Sequence, residues 1–160
     1  MDDISNLISV LETEEELYNS LYNLLKEEVE SIIRWQVDNI IEIGKRKNVI
    51  YCKESLLEEA RKGFLKKIGE IYSDSDININ KLIELLNDET KKETFVNLRE
   101  KLLAVLEKIQ LENTRIKLLY KNNIRIIDEF LSEIGIKEYT TYAKDKKVAT
   151  IDNFTFIKNI

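Results

Sequence analysis

The chain has 160 residues, 43% of them hydrophobic, which is enough for one domain of ordinary size with its own core. Proline is absent, where an average chain of this length carries about 8, and there are only 4 glycines; β-sandwiches, collagen-like repeats and Gly-rich phosphate cradles fit poorly, and long helices with few connections fit well. Histidine is absent, cysteine occurs once and the net charge is −5, which excludes histidine-based catalysis, HExxH zinc sites, internal disulfides and thiolate cages, and argues against general nucleic-acid binding.

The charge is uneven, since residues 1–30 hold nine acids and one base. Met1-Asp2-Asp3 lacks the basic and apolar regions of a secretion signal, and no apolar run approaches the roughly 18 residues of a membrane span. The expectation is a cytoplasmic protein without direct membrane insertion. Cys52 reads as a small residue on a helix; a low-pKa nucleophile needs an activating basic partner or helix start, which the sequence does not reveal.

From Ile4 to Ile33, the residues Leu7, Leu11, Tyr18, Leu21, Leu25 and Ile32 recur three or four apart or at sums of these. Such spacing lines one face of an amphipathic helix. Glu14 and Glu28 interrupt the seam, which favours a small bundle over a continuous two-stranded coiled coil, and Glu14-Glu15-Glu16 reads as surface. A first break is expected at Arg34-Trp35-Gln36-Val37-Asp38, with Asp38 as the N-cap of a second helix, although one continuous helix from 3 to 72 satisfies the periodicity as well. Its stripe runs from Ile40 and Ile43 through Val49, Leu56, Phe64 and Ile68 to Ile71. Gly44, Gly63 and Gly69 each weaken it by about 1 kcal/mol relative to alanine, so this helix should be the softest.

Ser73-Asp74-Ser75-Asp76 reads as a loop, because short polar side chains compete for backbone hydrogen bonds. Asn80 is then expected to cap a short helix carrying Leu82, Ile83, Leu85 and Leu86. The strongest periodicity follows: Phe95, Leu98, Leu102, Val105, Ile109, Ile116, Leu119, Ile126 and Phe130 step by three, four or seven. Ile124, Ile127, Leu131 and Ile134 on its flank broaden the stripe, and Gly135 followed by Ile136 predicts a Schellman-type stop. Beyond it, Tyr139, Tyr142, Val148, Ile151, Phe154, Phe156 and Ile157 lack helical spacing and lie among Lys137, Lys144, Lys146 and Lys147. The predicted fold is therefore all-α: an elongated antiparallel helical bundle or coiled coil of three long helices and one short one over residues 1–136, with a flexible or partner-ordered C-terminal tail at 137–160.

No motif carries chemistry by itself. Carboxylates are spread along helix faces, and the basic stretch at 44–67 is interleaved with Glu54, Glu58 and Glu59. No catalytic residue, cofactor or metal ligand is assigned, and no nucleic-acid partner is expected.

Three stretches resemble the FlgN family of flagellar type III export chaperones. Leu17-Tyr18-Asn19-Ser20-Leu21-Tyr22-Asn23-Leu24-Leu25-Lys26-Glu27-Glu28 is similar to the family's first helix. Lys47 with Ser55-Leu56-Leu57-Glu58-Glu59-Ala60-Arg61 resembles its second. Leu111-Glu112-Asn113-Thr114-Arg115-Ile116-Lys117-Leu118-Leu119 resembles its Leu-Asn-x-x-Asn-x-x-Leu segment, with Ile116 in place of the second asparagine. Thr141-Tyr142-Ala143-Lys144-Asp145-Lys146 is similar to the Tyr-containing element that follows, with Lys146 where glycine is frequent. The likeness spans about residues 7–148.

The resemblance implies a cytoplasmic, non-enzymatic chaperone. Such a protein binds the disordered C-terminal segments of hook-associated proteins, prevents their premature association and delivers them to the membrane export gate. A stripe broader than three helices need to cover one another can seat an amphipathic segment through anchors at i, i+3, i+4 and i+7. The cargo groove is expected on the final helix at Leu119, Ile126, Ile127, Phe130 and Ile134, and the export-gate contact at Tyr142. The alternative is a non-catalytic coiled-coil structural or adaptor protein forming a homo-oligomer; a homodimer of the chaperone is also compatible with the sequence.

Overall fold

The computed structural model describes residues 2–135, which form four helices and, among the described residues, no strand. They are α1 (Asp3–Ile33), α2 (Val37–Tyr72), α3 (Ile79–Leu85) and α4 (Glu89–Glu133). The fold is all-α, as the periodicity predicts. At 45 residues, α4 is about 67 Å long at 1.5 Å per residue.

Short polar residues start three of the helices by accepting orphan backbone N–H groups. The Asp2 carboxylate accepts from Ile4 N–H at 3.4 Å, Asn78 from Lys81 N–H at 3.0 Å, and Asp88 from Thr90 and Lys91 N–H at 3.1 and 3.2 Å. Two expected caps are corrected here. Asn78, not Asn80, caps α3, and Asn80 instead accepts from Arg99 of α4 at 2.5 Å. Asp38 lies inside the first turn of α2, where its charge favours the positive end of the helix dipole. The N-cap position is Gln36, and its side chain makes no capping bond.

The break at 34–38 is present, and its geometry is unusual. Gln36 N–H bonds to Ser31 O at 2.9 Å and Trp35 N–H to Ile32 O at 3.2 Å, the two bonds of a Schellman stop. That motif demands a left-handed residue, and here it is Trp35, with φ 56°. At the end of α2, Ser73 adopts φ 55° and Asp74 N–H returns to Gly69 O at 3.0 Å. The loop passes so close that a Cβ on Gly69 would sit 2.5 Å from the Asp74 carbonyl oxygen. Gly135, at φ 83°, ends α4 with its N–H on Ser132 O at 3.2 Å.

Helix α1 is central: it packs against α2 on one side and α4 on the other, while α3 rests on α4. Leu7, Leu11, Tyr18, Leu21 and Leu25 are sealed against Phe95, Leu102, Val105 and Ile109 of α4 and Ile79 and Leu82 of α3 in one hydrophobic cluster. Among the described residues, Ile68 is the only buried member that α2 adds to this cluster. Ile40, Ile50, Tyr51, Phe64 and Leu65 pack against it part-exposed, and polar stitches between α2 and α1 add to them. Arg61 donates to Glu14 at 3.1 Å, Lys47 to Glu28 at 2.7 Å, Tyr18 to Glu54 at 3.3 Å and Asn39 to Ser31 at 2.7 Å. The reading of Glu14 as surface is thereby corrected: the side chain is 1% exposed and paired with an Arg61 that is 3% exposed. An acid on the apolar face was buried because a cation from another helix meets it there.

Candidate functional site

Cross-helix pairs set the register, and the register decides where apolar surface is left over. Asp2 pairs with Lys91 at 2.7 Å, and Tyr120 donates to Glu28 at 3.1 Å. Helix α4 therefore runs parallel to α1 with each residue level with one about 90 positions later in the chain. Helix α2 runs antiparallel, as Glu14–Arg61 and Glu28–Lys47 require. Since α1 ends at Ile33 and α2 begins at Val37, both neighbours stop near the level of Ile126. The last two turns of α4 project about 10–15 Å beyond them.

Exposure along the α4 stripe follows this geometry. Ile116 is buried and Leu119 is half-buried against the core. Further along, Ile126, Ile127, Phe130 and Ile134 are 51%, 43%, 60% and 54% exposed. Four of the five residues expected to line a groove thus lie together on the uncovered helix end, whereas Leu119 belongs to the packed part of the same stripe. Tyr142 lies outside the described residues, as does the rest of 137–160.

Sequence reasoning missed the companion surface. The α1–α2 turn lies at the same end of the molecule, and it exposes Ile33, Trp35, Val37 and Ile41. The signal was available as four large apolar residues clustered around a helix break, but the stretch reads first as a connection. The end face of the molecule thus carries two exposed apolar patches, one on the turn and one on the α4 overhang. The segments that carry these patches are acidic: residues 30–42 and residues 124–135 each have a net charge of −2.

The titratable groups of the interior have structural surroundings. Burial pushes the Glu14 carboxyl up to about 7 against the opposing pull of Arg61. Burial, then the neighbouring Glu58, raises Glu54, and burial raises the phenols of Tyr18, Tyr51 and Tyr120. None of these side chains lies on the end face. A cleft of about 930 Å³ lies between α2 and the Ser73–Asn78 loop. Three of its charged side chains are paired: Arg61 with Glu14, Lys62 with Glu58 and Asp74 with Lys81. A second groove, of about 390 Å³, runs between α1 and α2 past Leu17, Leu56 and Leu57. Among the described residues no acidic or cysteine cluster could hold a metal ion, and no helix is long and apolar enough to cross a membrane.

Fold and surface define an all-α helical bundle with exposed apolar residues at one end. The family model for FlgN protein matches residues 1–150, and the chain belongs to the FlgN family. This is a family of flagellar export chaperones, so a chaperone role in flagellum biogenesis follows from membership. Neither the comparison with curated proteins nor that with solved structures finds a match.

Proposed function

We propose that the protein is a cytoplasmic chaperone whose clients are the disordered C-terminal segments of hook-associated flagellar proteins. It keeps them from associating early and hands them to the membrane export gate. The client segment lies along the α4 overhang on Ile126, Ile127, Phe130 and Ile134, with Leu119 closing the inner end. Tyr142 and its neighbouring lysines contact the gate. The observation that carries this reading is the projection of an apolar stripe past both covering helices, with Ile127 and Phe130 43% and 60% exposed.

Covering a half-exposed Ile or Phe side chain contributes about 1 kcal/mol, roughly half of its full burial value. Four such anchors, offset by the cost of ordering a flexible segment, give an affinity moderate enough for release at the gate. The test is calorimetric titration with C-terminal peptides of hook-associated proteins. Ile127→Glu should weaken capture by about 10–100-fold while the melting temperature stays that of the parent, because this side chain seals no core. Tyr142→Ala should leave capture intact and lower export. Unchanged capture by the Ile127→Glu chain would reject the proposed site; a stable homo-oligomer that buries the overhang would favour the structural or adaptor alternative.

A further inference from the structure

We propose that residues 148–157 of this same chain seat on the end face formed by Trp35, Val37, Ile127, Phe130 and Ile134, and that a client segment binds by displacing them. The displacement half rests on the function proposed above; the seat does not. Three observations select this occupant. The first is position. Gly135, at φ 83°, ends the overhang directly beside the exposed Ile134. The stretch from there to Val148 can span up to about 45 Å when extended, well beyond the length of the overhang.

The second is content. Val148, Ile151, Phe154, Phe156 and Ile157 fall within ten residues, so the segment can supply apolar side chains to an apolar face. The third is charge. Residues 136–160 carry +2, with Lys137, Lys144, Lys146 and Lys147 preceding the apolar group, while the two parts of the end face carry −2 each. Tethering lets such a contact form at weak intrinsic affinity, since a short linker holds the segment at an effective concentration of about millimolar. Trp35 adds a further sign. A bulky residue in the left-handed region is costly and persists where its placement serves something, and here the placement leaves the ring 52% exposed on the end face.

The test uses the full chain, because Trp35 is its single tryptophan. Acrylamide quenching of Trp35 fluorescence is compared between the parent and a Phe154→Asp/Phe156→Asp variant, whose substitutions lie outside the packed helices. The expected result is stronger quenching and a red-shifted emission in the variant at every protein concentration. Equal quenching in the two chains would overturn the seat. Shielding of the parent that grows with protein concentration would also overturn it, assigning the face to a second copy. The variant should bind client peptide about tenfold more tightly, the factor by which a face open roughly one-tenth of the time weakens apparent binding. Equal client affinity despite a newly exposed Trp35 would overturn displacement. Absence of client binding in both chains, with the Trp35 response intact, would reject the proposed function and leave the seat standing.

Discussion

Trp35 stands at the position after a helix C-cap where glycine is usual, because an L-residue there pays about 1–2 kcal/mol for left-handed backbone. Its ring recovers part of that cost through the half of its surface that is covered. Trp35→Gly should therefore raise stability by about 1 kcal/mol, with a melting temperature higher by about 2–4 °C, although it removes the largest side chain of the end face. A lowered melting point would mean that the ring contributes more to packing than its exposure indicates. Glu14 makes a second prediction at this scale. Its carboxyl is raised from the ordinary 4.5 to about 7 by burial, so between these values the folded chain holds a proton that the unfolded chain has released. Stability from this group is thus full below about pH 4.5 and falls as pH rises to about 7. Glu14→Gln should gain on the parent across that window by up to about 3 kcal/mol, read from urea midpoints at about pH 5 and about pH 8. A constant difference between the two chains would contradict the raised value. Glu54, raised by burial and by Glu58, contributes with the same sign in both chains.

At the scale of elements, α2 is the helix that the core holds least. Of its residues only Ile68 is a buried member of the main cluster; Ile40, Ile50, Tyr51, Phe64 and Leu65 pack against that cluster part-exposed, and ion pairs and hydrogen bonds to α1 add to them. Its glycines looked alike in the sequence, yet the structure separates them. A Cβ at Gly44 or Gly63 meets nothing within 4 Å, whereas at Gly69 it meets the Asp74 carbonyl at 2.5 Å and Ile77 Cγ2 at 3.0 Å. Gly44→Ala and Gly63→Ala should each stabilise by about 1 kcal/mol. Gly69→Ala should destabilise by about 1–3 kcal/mol, because the loop backbone must move. Thermal melts of the three variants check the split; a stabilising Gly69→Ala would place the loop farther from the helix than described. Helix α4 shows the opposite design. Its inner stripe is covered by α1 and α3, and its outer turns continue the same apolar spacing with no other described residue covering them.

Across the described residues, α1 is the shared partner of α2 and α4, and α3 rests on α4. Hydrogen exchange should follow that arrangement, with local opening cheapest where fewest apolar contacts resist it. Amides between Tyr18 and Val29 should exchange most slowly, those of α2 sooner, and those of 124–133 fastest within α4. An α2 as well protected as α1 would contradict its weak attachment. This arrangement also separates the end face from the interior, so Ile127→Glu can alter binding without loosening the bundle.

The helices, their order and the loop near 73–76 were legible in the amino-acid sequence, as was the stripe through Ile126, Ile127, Phe130 and Ile134; the break near 34–38 was one of two readings, beside a continuous helix from 3 to 72. All of these depend on neighbours three or four residues apart and on local turn chemistry, which a linear chain displays directly. The cap residues slipped by two positions, Asn78 for Asn80 and Gln36 for Asp38, because several short polar residues competed locally for the same role. What tertiary structure alone decided was the fate of particular side chains: Glu14 sealed against Arg61, Trp35 left in the open, Gly69 pressed against a loop. It also decided where the α4 stripe loses its cover. That depends on a register set by contacts such as Tyr18–Glu54 and Glu28–Tyr120, 36 and 92 residues apart, and spacing within one helix carries no information about how far its neighbour reaches.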